Sequence, residues 1–165
     1  KKLGKSESDM LFQYSKDVQF GDATNREGHA AKVYFNALFE KTFHRESNSE
    51  INAFLDYGYT LLLSAFSREI VKNGCITQLG INHQSYFNQF NLSSDLMEPF
   101  RYLVDEITYE NRELVFEDSK YRLMELFTNT YRYDDSEMYL VNIIEKYVKT
   151  ILNSLGSNSV DIREF

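Results

Sequence analysis

One stretch constrains the fold more than any other. From Ile51 to Asn73 the chain can form a single helix, roughly 35 Å long at about 1.5 Å per residue, that is apolar around most of its circumference. The polar positions are confined to a narrow row at i, i+4 spacing: Asn52, Asp56, Thr60, Ser64 and Arg68. A helix with so wide an apolar surface has to be covered by other elements, which places it at the centre of a bundle. Gly74 stands where a helix usually ends. Breakers are scarce elsewhere as well, with one proline, Pro99, and seven glycines in 165 residues. The expected architecture is therefore all-α, a multi-helix bundle with a long central helix.

The remaining elements follow from spacing. Ser6 to Phe20 has helical periodicity through Met10, Leu11, Tyr14 and Val18, and Gly21-Asp22 breaks it. Thr24 or Asn25 can cap a helix to about Phe39, with Ala30, Val33, Tyr34, Ala37 and Leu38 inward. Lys41 to Ser49 is polar and loop-like, and Ile76 to Asn91 reads as loop with short helical pieces. Ser93 or Ser94 can start a helix through Leu103 with Pro99 in its early turns. Glu117 to Asn129 and Ser136 to Leu155 complete the set, the latter stopped by Gly156 ahead of a frayed C-terminus. Neither an internal repeat nor a linker is visible, so residues 1–165 are expected to form a single helical domain.

Composition narrows the classes. Cys75 is the only cysteine, so an internal disulfide is impossible and secretion has no support. The apolar patch from Leu61 to Phe66 is too short to span a bilayer, and no apolar run follows Lys1, Lys2 and Lys5. A reducing cytoplasm is the expected setting, with no membrane partner. The net charge of -7 argues at first against nucleic acid. Yet residues 1–101 carry 11 Lys/Arg against 12 Asp/Glu, whereas residues 102–165 carry 7 against 13. The acidity is concentrated at the C-terminal end.

Three short segments carry candidate chemistry. Glu27 opens a helix, where a carboxylate gains about 0.3–1 kcal/mol from the helix dipole; composition alone favours that plain reading over a metal ligand. Small Ala30 and Ala31 behind it would let a ligand approach. Asp95 and Glu98 are three apart and share a helical face. They can form a capping box, which Pro99 disfavours, or they can flank a cation. Carboxylates held at that separation repel by roughly 3 kcal/mol at an effective dielectric of ~20. His83, between apolar Leu79/Ile81 and a polar stretch, is by base expectation a structural residue before it is a ligand. Tyr57 reads first as packing, with a hydroxyl able to reach such a site. The chain contains no His-Asp dipeptide, no Glu-x-x-His, no H-E-x-x-H, no P-loop and no G-x-G-x-x-G.

Read together, the segments Gly21-Asp22-Ala23-Thr24-Asn25-Arg26-Glu27-Gly28-His29-Ala30-Ala31-Lys32, Asn52-Ala53-Phe54-Leu55-Asp56-Tyr57-Gly58-Tyr59, Gln78-Leu79-Gly80-Ile81-Asn82-His83 and Asp95-Leu96-Met97-Glu98-Pro99-Phe100-Arg101 resemble the CRISPR adaptation integrase, in the form found in type II systems. Ser64 to Ile70 and Phe87 to Leu92 add to the match, in the family's order.

The resemblance implies a metal-dependent DNA endonuclease and integrase that inserts spacer DNA into a repeat array by transesterification. It implies Glu27, His83 and Glu98 as ligands of Mg²⁺ or Mn²⁺, Asp95 as a second acidic position beside them, and Tyr57 as an auxiliary active-site tyrosine. Arg26, Lys32 and Arg101 become candidate contacts to the DNA backbone. It also implies prespacer and repeat DNA, a partner subunit of the adaptation complex, a homodimer of the full-length protein and a bacterial cytoplasmic setting. The family begins with a β-rich domain that this chain lacks, so the chain is expected to correspond to the C-terminal catalytic domain. The competing expectation is a non-enzymatic helical module whose acidic surface docks a protein.

Overall fold

The computed structural model describes residues 6–17, 22 and 24–157. Its elements are helices α1 (Ser8–Asp17), α2 (Arg26–Phe39), α3 (Glu50–Lys72), α4 (Asn91–Met97), α5 (Arg101–Glu110), α6 (Phe116–Ser119), α7 (Glu125–Thr128) and α8 (Leu140–Ser157), with strands β1 (Thr130–Tyr133) and β2 (Ser136–Tyr139). Helix dominates, as expected. The chain divides into two compact units, residues 1–52 and 53–165.

In the first unit α1 packs against α2. Helix α1 starts at Ser8 rather than Ser6, and residues 18–20 of the expected helix lie outside the described residues. The start of α2 departs from expectation in chemistry. Asn25 is the residue before the helix, but it sits at φ 51° and its side chain makes no cap. Asp22 caps instead, accepting the backbone N–H of Arg26 at 2.7 Å and of Glu27 at 3.0 Å. The loop after α2 is fastened by buried Asn52, whose Nδ2 donates to the carbonyls of His44 at 2.9 Å and Ser47 at 2.6 Å.

In the second unit α3 is the spine. Phe54, Leu55, Leu62, Phe66 and Ile70 are fully buried, and the expected polar row is exposed from Asp56 to Arg68. Gly74 ends the helix at φ 77°. Phe66 meets Phe100 edge-on at 5.0 Å, and Phe100 meets Tyr147 at 5.0 Å, so one aromatic group joins α3, the turn before α5, and α8. Each fully buried Phe of this kind contributes about 1.5–3 kcal/mol by leaving water. Helix α8 buries Leu140, Ile143, Ile144, Val148 and Ile151, one stripe at helical spacing. Among the described residues, no helix is long and apolar enough to cross a membrane.

Several expected elements differ. Helix α4 starts at Asn91, before the serines, and residues 98–100 tighten into a 3₁₀ turn before α5. Pro99 cannot donate an N–H to the Asp95 carbonyl, so the helix tightens at the proline and resumes at Arg101. Between Gly74 and Asn91 the chain makes turns with no helical piece. The expected helix from 117 to 129 is two short helices around a 3₁₀ segment, Lys120–Met124. The Ser119 hydroxyl donates back to the Val115 carbonyl there, a bond that competes with helix continuation.

The helix expected from Ser136 begins at Leu140, because residues 130–139 form an antiparallel hairpin. Asp134 and Asp135, at φ 51° and 60°, supply the two-residue turn such hairpins require. Gly156 lies inside α8 rather than stopping it, and residues 158–165 are outside the described residues.

Gly58 lies where α3 closely approaches Val104 of α5 and Leu123. A Cβ there would meet the side chains of Val104 and Leu123, both fully buried. Gly58→Ala should therefore cost about 1–3 kcal/mol through overpacking, read as a lower urea midpoint with an unchanged slope.

Candidate metal centre

The loop from Cys75 to Phe90 has no regular structure, yet side chains of the helix that follows give it a fixed path. Asn91 Nδ2 donates to the carbonyls of Gln78 at 3.0 Å and Ser85 at 2.8 Å. The Leu92 backbone N–H reaches the Thr77 carbonyl at 2.8 Å, and Thr77 Oγ1 donates to the Gln89 carbonyl at 2.7 Å. Each bond joins one end of the loop to the first turn of α4 or to the loop's other end.

Asp95, one turn further along α4, does most. Its carboxylate accepts the backbone N–H of Ile81 at 2.5 Å, of Asn82 at 3.0 Å and of His83 at 3.0 Å. It also meets His83 Nδ1 at 2.5 Å. The loop comes this close because residue 80 is glycine. A Cβ there would collide with the His83 carbonyl oxygen and stand 2.8 Å from the Asp95 carboxylate. The Asp95 side chain is 6% exposed and that of His83 36%. Burial works to raise the Asp95 carboxyl's pKa, but the His83 ring and the three backbone N–H groups favour its ionised form more, and the net shift is downward.

One reading of Asp95 is thereby corrected: it is not a helix cap, since it lies inside α4. Its oxygens are taken by the loop. Glu98 lies at the start of the 3₁₀ turn, 37% exposed, with Arg101 Nη1 3.8 Å away. The two carboxylates thus have separate surroundings, one committed and one open.

The imidazole gains a defined orientation. In the neutral ring, a bond from Nδ1–H to the carboxylate leaves the lone pair on Nε2. A histidine whose far nitrogen is held by a carboxylate is the usual way of presenting imidazole to a metal.

Other candidates sit as follows. Tyr57 is 39% exposed and lies edge-on to Phe116, ring centres 5.7 Å apart. Arg101 lies 5.6 Å from the Tyr59 ring, and Tyr59 donates its hydroxyl to buried Asp105 at 2.5 Å. In the first unit Glu27 is exposed in the opening turn of α2, whose cap is Asp22. Arg26 is half-buried, 5.6 Å from the Tyr14 ring, and Lys32 is exposed on α2.

Among the described residues no group of three or more His, Cys, Asp and Glu is gathered that could hold a metal. His83 and Glu98 belong to the second unit and Glu27 to the first. What supports a metal here is the donor chemistry of the oriented imidazole.

Sequence reasoning missed Asp22 as the cap, Asn52 and Asn91 as loop fasteners, and Asp95 as the holder of His83. The visible signal was the density of Asn and Asp beside segments that lack periodicity.

A helix-dominated protein that presents a carboxylate-held histidine and, in the same unit, a half-exposed Glu98 is the class these observations define. The comparisons say which. A solved casposase structure, described as bound to integration product, matches with TM-score 0.73 over 93% of this chain and 58% of its own, at 19% identity, and so shares the fold. The family model described as "CRISPR associated protein Cas1" matches residues 19–122, and the chain belongs to that family.

A CRISPR-associated endonuclease Cas1 of Neisseria meningitidis serogroup C (strain 8013) is 44% identical over 89 residues, covering 54% of this chain and 29% of that protein. Another, from Francisella tularensis subsp. novicida (strain U112), is 29% identical over 149 residues, covering 77% and 46%. The chain thus spans less than half the length of either relative.

The Asp95 contacts make a direct prediction. In Asp95→Ala the amides of Ile81, Asn82 and His83 should exchange with deuterium roughly tenfold faster or more, since each loses a bond to a charged acceptor. In the unsubstituted chain, a carboxyl whose folded pKa lies below its usual value of 3.8 stabilises the loop fully above that value. The protection should disappear as pH falls through the lowered folded value. Amide protection unchanged from neutral pH down to well below 3.8 would contradict the structure.

Proposed function

We propose that the chain contributes the catalytic part of a divalent-cation-dependent DNA endonuclease and integrase that inserts spacer DNA into a CRISPR repeat array. The observation that carries this reading is the Asp95–His83 pair, an imidazole aimed and exposed in the manner of a metal ligand, in a member of this family. Relatives described as CRISPR-associated endonucleases, and a fold neighbour described as bound to integration product, support the choice of chemistry.

Glu27, His83 and Glu98 would hold Mg²⁺ or Mn²⁺, hard cations that accept oxygen donors, with the imidazole favouring Mn²⁺. Once bound, the cation would neutralise charge on a phosphodiester and ease ionisation of an attacking hydroxyl. The chain's own residues do the positioning. Asp95 keeps the His83 proton on Nδ1 and stops the ring from turning. Arg26, Lys32 and Arg101 would contact phosphates of the prespacer or repeat.

The reaction is a transesterification, in which a 3′-hydroxyl attacks a phosphodiester in line, a new P–O bond forms and the old one leaves as a hydroxyl. Bonds are exchanged one for one, so no nucleotide hydrolysis is required, in keeping with a sequence that has no P-loop. Tyr57 would serve as an auxiliary tyrosine of the same site. The assembly would include a partner subunit and a second copy of the full-length protein.

The competing reading, a docking module without catalysis, draws support from Tyr86 and Phe87, which are 94% and 92% exposed on the loop that carries His83. Mn²⁺ titration separates the two, because a docking surface has no saturable ion site.

Glu27→Ala in the full-length protein should abolish metal-dependent cleavage and joining while lowering stability by no more than about 1 kcal/mol, since Asp22 caps α2. Asp95→Asn should weaken Mn²⁺ binding about 10–100-fold without removing a ligand. Full activity in the Glu27 variant, or no saturable Mn²⁺ binding by the unsubstituted protein, would refute the assignment.

A further inference from the structure

The first unit holds a concavity that, Lys32 apart, the proposed metal chemistry does not use. It lies between α2 and the loop after it, with a volume of about 410 Å³, within the roughly 300–1,000 Å³ typical of small-ligand clefts. Phe35 and Phe43 give it an aromatic lining, and Lys32, Lys41, His44 and Arg45 surround them. None of its lining residues is acidic. That contrast carries weight in a chain of net charge -7.

The lining is rigid. Phe35 and Phe43 are 5.8 Å apart, and each also contacts buried Phe39, at 6.4 and 5.1 Å. Arg45 Nη1 donates to Asn52 Oδ1 at 2.6 Å, and its guanidinium lies 6.0 Å from the Phe35 ring. Asn52 is the same residue that fixes the loop through the His44 and Ser47 carbonyls. The aromatic faces and the Arg45 guanidinium are thus in place before any ligand arrives, which lowers the ordering cost of binding.

We infer that this pocket takes one unstacked nucleotide of single-stranded DNA, the base against Phe35 and Phe43 and the phosphate against Lys32, Lys41 and Arg45. Aromatic rings with a basic rim are how sequence-tolerant single-strand sites are built. A duplex keeps its bases stacked inside and gives the pocket no base to enclose, so its backbone is not drawn onto the rim. A free anion would have no use for the rings. The inference rests on the reading that the protein handles DNA, and it names a contact to a strand end or overhang away from the reacting phosphate.

The test is fluorescence anisotropy of the full chain in EDTA, which leaves the metal assignment out of the measurement. The probes are a short oligothymidylate, an abasic strand of the same length and a blunt duplex. Oligothymidylate should bind more tightly than the abasic strand. Phe43→Ala should weaken oligothymidylate roughly tenfold, and exposed Lys41→Glu by a similar factor, both leaving the blunt duplex unchanged. Circular dichroism melting checks that Phe43→Ala still folds; Lys41→Glu, on an exposed loop, decides the matter if it does not. Equal binding of abasic and thymidylate strands would reduce the pocket to a phosphate site and overturn the inference. So would an unchanged affinity for oligothymidylate in Lys41→Glu, or an equal loss on the blunt duplex.

Discussion

A single buried carboxylate organises the part of the second unit where chemistry is expected. Asp95 belongs to a regular helix, so its backbone needs nothing from its side chain. The side chain is thereby available to a neighbouring segment that has no ladder of its own. Three successive amides of that segment point at it, and so does the ring of the residue bearing the third. Bonds to a charged acceptor contribute about 1.5–3 kcal/mol each, enough to hold a stretch that local propensity would leave loose. The same contact fixes the path of the loop, the tautomer of His83 and the requirement for glycine at position 80.

The pattern recurs wherever regular structure stops. Asp22 supplies the first N–H acceptors of α2, Asn52 fastens the loop after it, and Asn91 gathers both ends of the loop before α4. Each is a short polar side chain reaching backbone groups that helices and strands would otherwise satisfy. Regular elements stabilise themselves through periodic burial, as in α3 and α8. The irregular ones draw on short polar side chains such as these four.

This division explains what could be read from sequence. Helices α2, α3 and α8 were legible because apolar spacing reports burial along a single element. Asp95 could be singled out as a candidate, but its partners could not, since residues 81–83 come to it only after the chain turns back. The hairpin escaped because Tyr131, Met138 and Tyr139 satisfy a helical spacing as readily as an alternating one. Its distinguishing mark was Asp134-Asp135, a pair able to take positive φ twice in succession. The break near Pro99 was visible as a proline but not as a 3₁₀ turn, whose position depends on Phe100 packing against Phe66. Glu27, His83 and Glu98 were found through family wording. No periodicity or spacing rule joins three residues on separate elements.

Charge shows how the two kinds of site can coexist. Residues 1–52 carry eight Lys/Arg and eight Asp/Glu, whereas residues 53–165 carry ten and seventeen. The whole net negative charge therefore belongs to the second unit, together with His83, Asp95 and Glu98. A polyanion approaching that unit meets repulsion, which a bound cation would offset, so this acidity is compatible with the metal-dependent handling of DNA proposed above. The neutral first unit can collect Lys32, Lys41 and Arg45 around one pocket without competing carboxylates among its lining residues. Under these two proposals, attachment of the strand through Phe35, Phe43 and Lys41 and activation of the phosphate through the cation would draw on different residues, and ionic strength and chelation should act on them separately.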